Sequence, residues 1–127
     1  MPVCLALAQA VVAVLPTAAF TLQWTHSVER TEWREEWRID DGRLRVVAAT
    51  VAGSGAGMEP PPGAVLVDNA WHYVPAVPPM ARLRLANSQS GGDYRLCWDG
   101  ACRPLASLLP ASSEEPIELY PCDAAQR

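Results

Sequence analysis

The sequence predicts an all-β fold, a small antiparallel β-sandwich or partly open β-barrel of about eight short strands. Three observations predict it. Apolar and polar residues alternate over several short runs. Asp41-Gly42 and Asp99-Gly100 each stand between two such runs, where a two-residue hairpin turn with positive φ is expected. Twelve prolines and eight glycines in 127 residues suit many short strands and tight connections.

The length fits one domain. Half the residues are apolar, so a modest core is possible, and the formal net charge is −4. The isoelectric point near 5.0 and the absence of a basic run argue against a nucleic-acid partner. No internal repeat is visible.

Residues 1–19, MPVCLALAQAVVAVLPTAA, carry no charged side chain. A short apolar run ending in small residues reads as a secretory leader cut after Ala19. The pattern lacks a basic n-region, and an uncleaved N-terminal anchor is the alternative; a run this short, broken by Pro16, spans a bilayer poorly. The expected division is a leader at 1–19, one β-domain at 20–121 and a tail at 122–127. The expected location is periplasmic or otherwise exported.

Phe20, Leu22 and Trp24 alternate with Thr21, Gln23 and Thr25, which gives a half-buried first strand. His26 continues the inward register, and Ser27 starts a turn. Trp33–Asp40 and Arg43–Val51 form the clearest hairpin. Pairing outward from Asp41-Gly42 sets Ile39 against Leu44, Trp37 against Val46, Glu35 against Ala48 and Trp33 against Thr50. The expected buried face carries Trp33, Trp37, Ile39, Leu44, Val46 and Ala48; Arg34, Glu36, Arg38 and Arg45 meet water. A helix over TEWREEWR is the rival, because Trp33 and Trp37 are also four apart. The Asp-Gly turn and the β-branched partner strand favour the hairpin.

Glu35 breaks the apolar face. A carboxylate there must be paired, hydrogen-bonded or kept protonated. It is either a structural glutamate or a pocket residue that grips or senses a ligand.

Gly53–Met58 has the glycines of a phosphate loop, which should open a helix, but runs into Pro60-Pro61-Pro62-Gly63, which cannot continue one. Nucleotide binding is therefore not expected. Its backbone N–H groups, at Gly55 and Gly57 above all, could form an anion nest, or the segment is a plain connector. Val65–Val74 reads as a strand with a possible break at Asp68-Asn69. Ala81–Ala86 alternates, with Leu83 and Leu85 inward and Arg82 and Arg84 outward. Tyr94–Trp98 and Ala101–Leu105 form a second hairpin about Asp99-Gly100. That turn places Cys97 opposite Cys102, where a cross-strand disulfide could form in an oxidising compartment. Ile117–Tyr120 is a last possible strand.

Metal and cofactor sites are not expected. The cysteine spacing does not suit zinc, and the two histidines are far away in sequence. A serine hydrolase using Ser27 is a remote reading. Adjacent His26 and Ser27 in an extended segment point opposite ways, and no G-x-S-x-G elbow is present.

The chain resembles the bacterial and archaeal family called domain of unknown function 1850. The resemblance rests on Trp24-Thr25-His26-Ser27-Val28-Glu29, on Trp33-Arg34-Glu35, on Gly53-Ser54-Gly55-Ala56-Gly57-Met58, on Ala70-Trp71-His72-Tyr73 and on the Leu83/Leu85 strand. It covers about Phe20 to Leu109. Members are small, usually exported proteins, often encoded beside TRAP-type transporters of the TAXI class, which take up carboxylates. The resemblance implies an accessory or ligand-sensing role, with a TRAP binding protein or permease as partner. His26, Ser27, Glu35, Gly55, Gly57 and Met58 would then meet a small carboxylate or other polar ligand. The competing expectation is an envelope interaction module without a small ligand, docking through Trp71, Tyr73 or Trp98.

Overall fold

The computed structural model describes residues 1–25, 31–52, 62–85, 94–109 and 115–122. They form two antiparallel sheets that do not close into a barrel. The strands are β1 (Val3–Leu7), β2 (Ala10–Leu15), β3 (Ala19–Thr25), β4 (Glu32–Asp40), β5 (Arg43–Ala52), β6 (Val65–Val67), β7 (Ala70–Tyr73), β8 (Leu83–Leu85), β9 (Arg95–Trp98), β10 (Ala101–Pro104) and β11 (Ile117–Pro121). One sheet has the order β2-β1-β11-β8 and the other β10-β9-β3-β4-β5-β7-β6. The sole helical element among the described residues is a single 3₁₀ turn, Leu105–Leu108.

Among the described residues the strand count is eleven where about eight were expected, for two reasons. Val65–Val74 is two strands, because Asp68 and Asn69 adopt φ of 51° and 63° and turn the chain back on itself. The other two extra strands come from residues 1–19. Val3–Leu7 pairs with β2 on one side and β11 on the other, and all five of its residues are buried. The apolarity that reads as a leader is here the apolarity of a central strand, covered on both faces. Ala19, the expected cleavage point, begins β3 with no break in structure. Cys4 is bonded to Cys122, so residue 122, expected in a tail, is fastened to the first strand. A cut after Ala19 would remove β1, β2 and half of that bond.

The Asp41-Gly42 hairpin forms as its sequence dictates, with both residues at positive φ (53° and 75°), a conformation that glycine adopts without strain. Its first rungs follow the expected register, Ile39 opposite Leu44 and Trp37 opposite Val46. Beyond them the register shifts by one residue at Val47, a β-bulge. Glu35 therefore faces Ala49, not Ala48, and Trp33 faces Val51, not Thr50. The bulge exchanges Ala48 and Thr50 for Ala49 and Val51, which are 2% and 1% exposed. Burying Val51 in place of a threonine hydroxyl is the physical gain.

The core lies between the sheets. Phe20, Leu22, Trp37, Leu44, Val46 and Leu96 of the larger sheet meet Val3, Leu5, Leu7, Leu15, Leu85, Ile117 and Leu119 of the smaller one. Each fully buried leucine contributes about 1.5–3 kcal/mol relative to exposure. Phe20 and Trp37 stack at 6.4 Å. Leu83 and Leu85 point inward and Arg82 and Arg84 outward, with Arg82 over the Tyr120 ring and 3.6 Å from Glu118.

Candidate functional site

Burial falls off along the inner face of the larger sheet. The Phe20–Trp37–Val46 rung is buried throughout. The next rung runs Leu96–Leu22–Glu35–Ala49–Tyr73 across five strands. Leu96, Leu22 and Ala49 are buried, whereas Glu35 and Tyr73 are half-buried. The rung beyond it carries Trp24, Trp33, Val51 and Trp71, of which only Val51 is buried. This end of the sandwich is the candidate site.

Aromatic rings dominate it. Trp24 stacks on Trp33 at 6.0 Å and meets Tyr94 at 6.0 Å in a tilted arrangement. Strand alternation explains the gathering. Trp24, Trp33 and Trp71 share one rung, and Tyr94 precedes β9, whose Arg95 pairs with Gln23.

Glu35 sits beside these rings. Its Oε1 accepts a hydrogen bond from Trp37 Nε1 at 3.1 Å. Burial raises its pKa above the ordinary carboxylate value, and the Trp37 bond partly opposes that rise. The hydroxyls of Tyr73 and Tyr94 are also raised, first by burial and then by the negative charge of Glu35. Both phenols thus lie within electrostatic reach of this carboxylate. One donor stays unused: Trp33 Nε1 is buried and, among the described residues, has no hydrogen-bond partner. Such an atom needs an explanation, because an unpaired buried N–H costs about 1–3 kcal/mol.

Chemically, the site combines a carboxyl group whose pKa burial raises, an N–H donor without a partner among the described residues and aromatic walls. A protonated carboxyl group donates one hydrogen bond and still accepts others. Among the described residues no group of three or more His, Cys, Asp or Glu side chains could hold a metal ion.

Of the sequence-predicted site residues, Glu35 is placed on the inner face. His26, Ser27, Gly55, Gly57 and Met58 lie outside the described residues. The strand ends Thr25 and Ala52 lie at one end of the larger sheet, on either side of β4: Thr25 pairs with Glu32, and Ala52 follows Val51, the partner of Trp33. Cys97 and Cys102 are bonded across the β9–β10 hairpin, 4.0 Å apart at Cα. Tyr94 and the Trp33 indole were missed as site residues. Tyr73, one of the expected docking aromatics, shares the inner face with Glu35 because the bulge sets its partner Ala49 opposite Glu35, and no sequence signal announces that bulge. The second histidine, His72, is on the outer face, where its Nδ1 lies 3.4 Å from the Thr50 hydroxyl.

The family model described as Domain of unknown function (DUF1850) matches residues 20–105. The chain belongs to the DUF1850 family. The match runs from Phe20 in β3 to the start of the 3₁₀ turn, so it takes in all of the larger sheet but Ala19, and Glu35 with it, while β1, β2 and β11 fall outside it. No curated protein matches the chain, and no solved structure does.

Proposed function

We propose that this DUF1850 protein is a ligand-binding accessory module of a carboxylate uptake system, and that it binds a small carboxylic acid at Glu35. The observation that supports the reading is the pairing of a half-buried, pKa-raised Glu35 with an unfilled Trp33 N–H on the same inner face. An ionised Glu35 would repel a carboxylate. A protonated one donates to it, as two carboxyl groups sharing one proton do. Trp33 Nε1 supplies a second donor, and the rings around it exclude water and strengthen both bonds. The reading has no catalytic step: it assigns positions for binding and none for a nucleophile.

The transporter association comes from the family resemblance, a TRAP-type system of the TAXI class being the proposed partner. An exported location is part of the proposal; two disulfides in one small domain suit an oxidising compartment. The test is a mild crosslinking pull-down of tagged protein from its native envelope. Co-recovery of a TRAP binding protein or permease is expected, followed by impaired uptake with Glu35→Ala. Recovery of neither, under conditions that capture a known envelope complex, would remove the transporter from the proposal.

A further inference from the structure

The larger sheet ends in an unusual edge. β6 is Val65-Leu66-Val67, and its side chains are 59%, 51% and 47% exposed. An exposed apolar edge strand is a template for pairing with another chain, and proteins ordinarily blunt such edges with charge, proline or a cover. Two of the other three edges are blunted: β10 carries Arg103 and Pro104, and β8 carries Arg84. β2, like β6, has neither charge nor proline, but its side chains are half-buried or buried at five of six positions. β6 has no charged residue and no proline.

We infer that β6 pairs antiparallel with β6 of a second copy, about a two-fold axis at Leu66. Self-complementarity carries the choice of partner. The triplet reads the same in both directions, so pairing about Leu66 sets Val65 against Val67 of the other copy, twice. Both valines lie on the outer face, where β-branched residues opposite one another stabilise a pair. The flanking positions raise no conflict, since Ala64 meets Asp68 and Gly63 meets Asn69. No like charges oppose one another, although each chain carries a net charge of −4.

The hydrogen bonding agrees. Val67 and Ala70 flank the two-residue Asp68-Asn69 turn and so exchange both their backbone bonds. Antiparallel pairs alternate, so Leu66, opposite Trp71, turns its N–H and C=O away from β7. These are the two groups that a two-fold axis at Leu66 would join reciprocally. A three-residue strand buries far less than the ~800 Å² per partner of a standard interface. The dimer is therefore weak and reversible, a fourteen-stranded sheet that forms only at high protein concentration.

Sedimentation velocity of the full chain over a wide concentration range tests this. The weight-average sedimentation coefficient should rise with concentration, and the rise should vanish in the Val65→Lys/Val67→Lys variant with the melting transition retained. Two controls guard against a variant that fails to fold. Every cysteine in the structure is already bonded, so Leu66→Cys adds one reactive thiol at the axis. Val74→Cys, at a position 70% exposed, adds one away from it. Oxidation should link Leu66→Cys into a dimer at least tenfold faster than Val74→Cys. A wild-type chain that stays monomeric throughout, or equal linking rates for the two cysteine variants, would overturn the pairing.

Discussion

Removing each disulfide in turn should give two different losses of stability. Cys4 and Cys122 are 118 positions apart, whereas Cys97 and Cys102 are 5 apart. A crosslink restricts the unfolded chain in proportion to the logarithm of the loop it closes. For a loop of that length the chain-entropy relation gives about 5 kcal/mol, and for the short one about 2 kcal/mol. The packing cost is unequal in the same direction, because Cys4 and Cys122 are 0% and 2% exposed. The Cys4→Ala/Cys122→Ala variant should therefore lose roughly 3 kcal/mol more than Cys97→Ala/Cys102→Ala. In a domain whose total stability is on the order of 5–15 kcal/mol, that loss is enough to bring the first variant near its unfolding midpoint without denaturant. Urea unfolding at fixed protein concentration, read by tryptophan fluorescence and extrapolated linearly, measures both. Equal losses would refute the reasoning. A Cys4→Ala/Cys122→Ala variant as stable as wild type would refute it more deeply, since it would mean that β1 is not held in the fold as the structure has it.

Three further outcomes are expected. Glu35 binds its proton more tightly in the folded state than in the unfolded one. The contribution of this group to stability is thus greatest at acid pH and declines as pH rises through its folded pKa; Glu35→Gln should flatten that decline and be more stable than wild type at neutral pH, with the two converging at acid pH in a urea series. Trp37→Phe removes the N–H that stabilises the Glu35 carboxylate, so the Glu35 pKa should rise further, as followed by carboxyl carbon NMR across a pH titration. Leu119→Ala empties a fully buried position between the sheets and should cost about 2–5 kcal/mol in the same urea assay.

Much of the larger sheet was legible in the sequence because its signals are local. Asp-Gly turns and two-residue alternation need no knowledge of distant residues; the same alternation marks Leu83 and Leu85 of the smaller sheet as inward. In the smaller sheet β8 and β11 were legible, whereas β1 and β2 were not. The turn joining β1 and β2 is Ala8-Gln9, at φ of 48° and 71°, and neither residue belongs to the Asn, Asp and Gly set that marks such turns. An apolar run without a turn signal has the composition of a leader, and its pairing as β1 depends on β11, more than 100 residues away. The bulge at Val47 was illegible for a similar reason. Its benefit is the burial of Ala49 and Val51, which depends on what packs above them. At the candidate site, Glu35 stood out as a polar residue on an apolar face. Its aromatic neighbours Tyr73, on β7, and Tyr94, just before β9, come from opposite sides of β4, and their convergence is a product of sheet order.

The central claim is that Glu35 and the Trp33 indole act together on a carboxylic acid. It is tested most directly by indole N–H NMR of the full chain, titrated with a panel of small carboxylates at acid and neutral pH. The account predicts a saturable shift of the Trp33 indole resonance for at least one of them, weaker at neutral pH in the wild type, less dependent on pH in Glu35→Gln, and lost in Glu35→Ala. A Trp33 resonance that no carboxylate moves at either pH, in a protein whose other tryptophan signals show it folded, would contradict it.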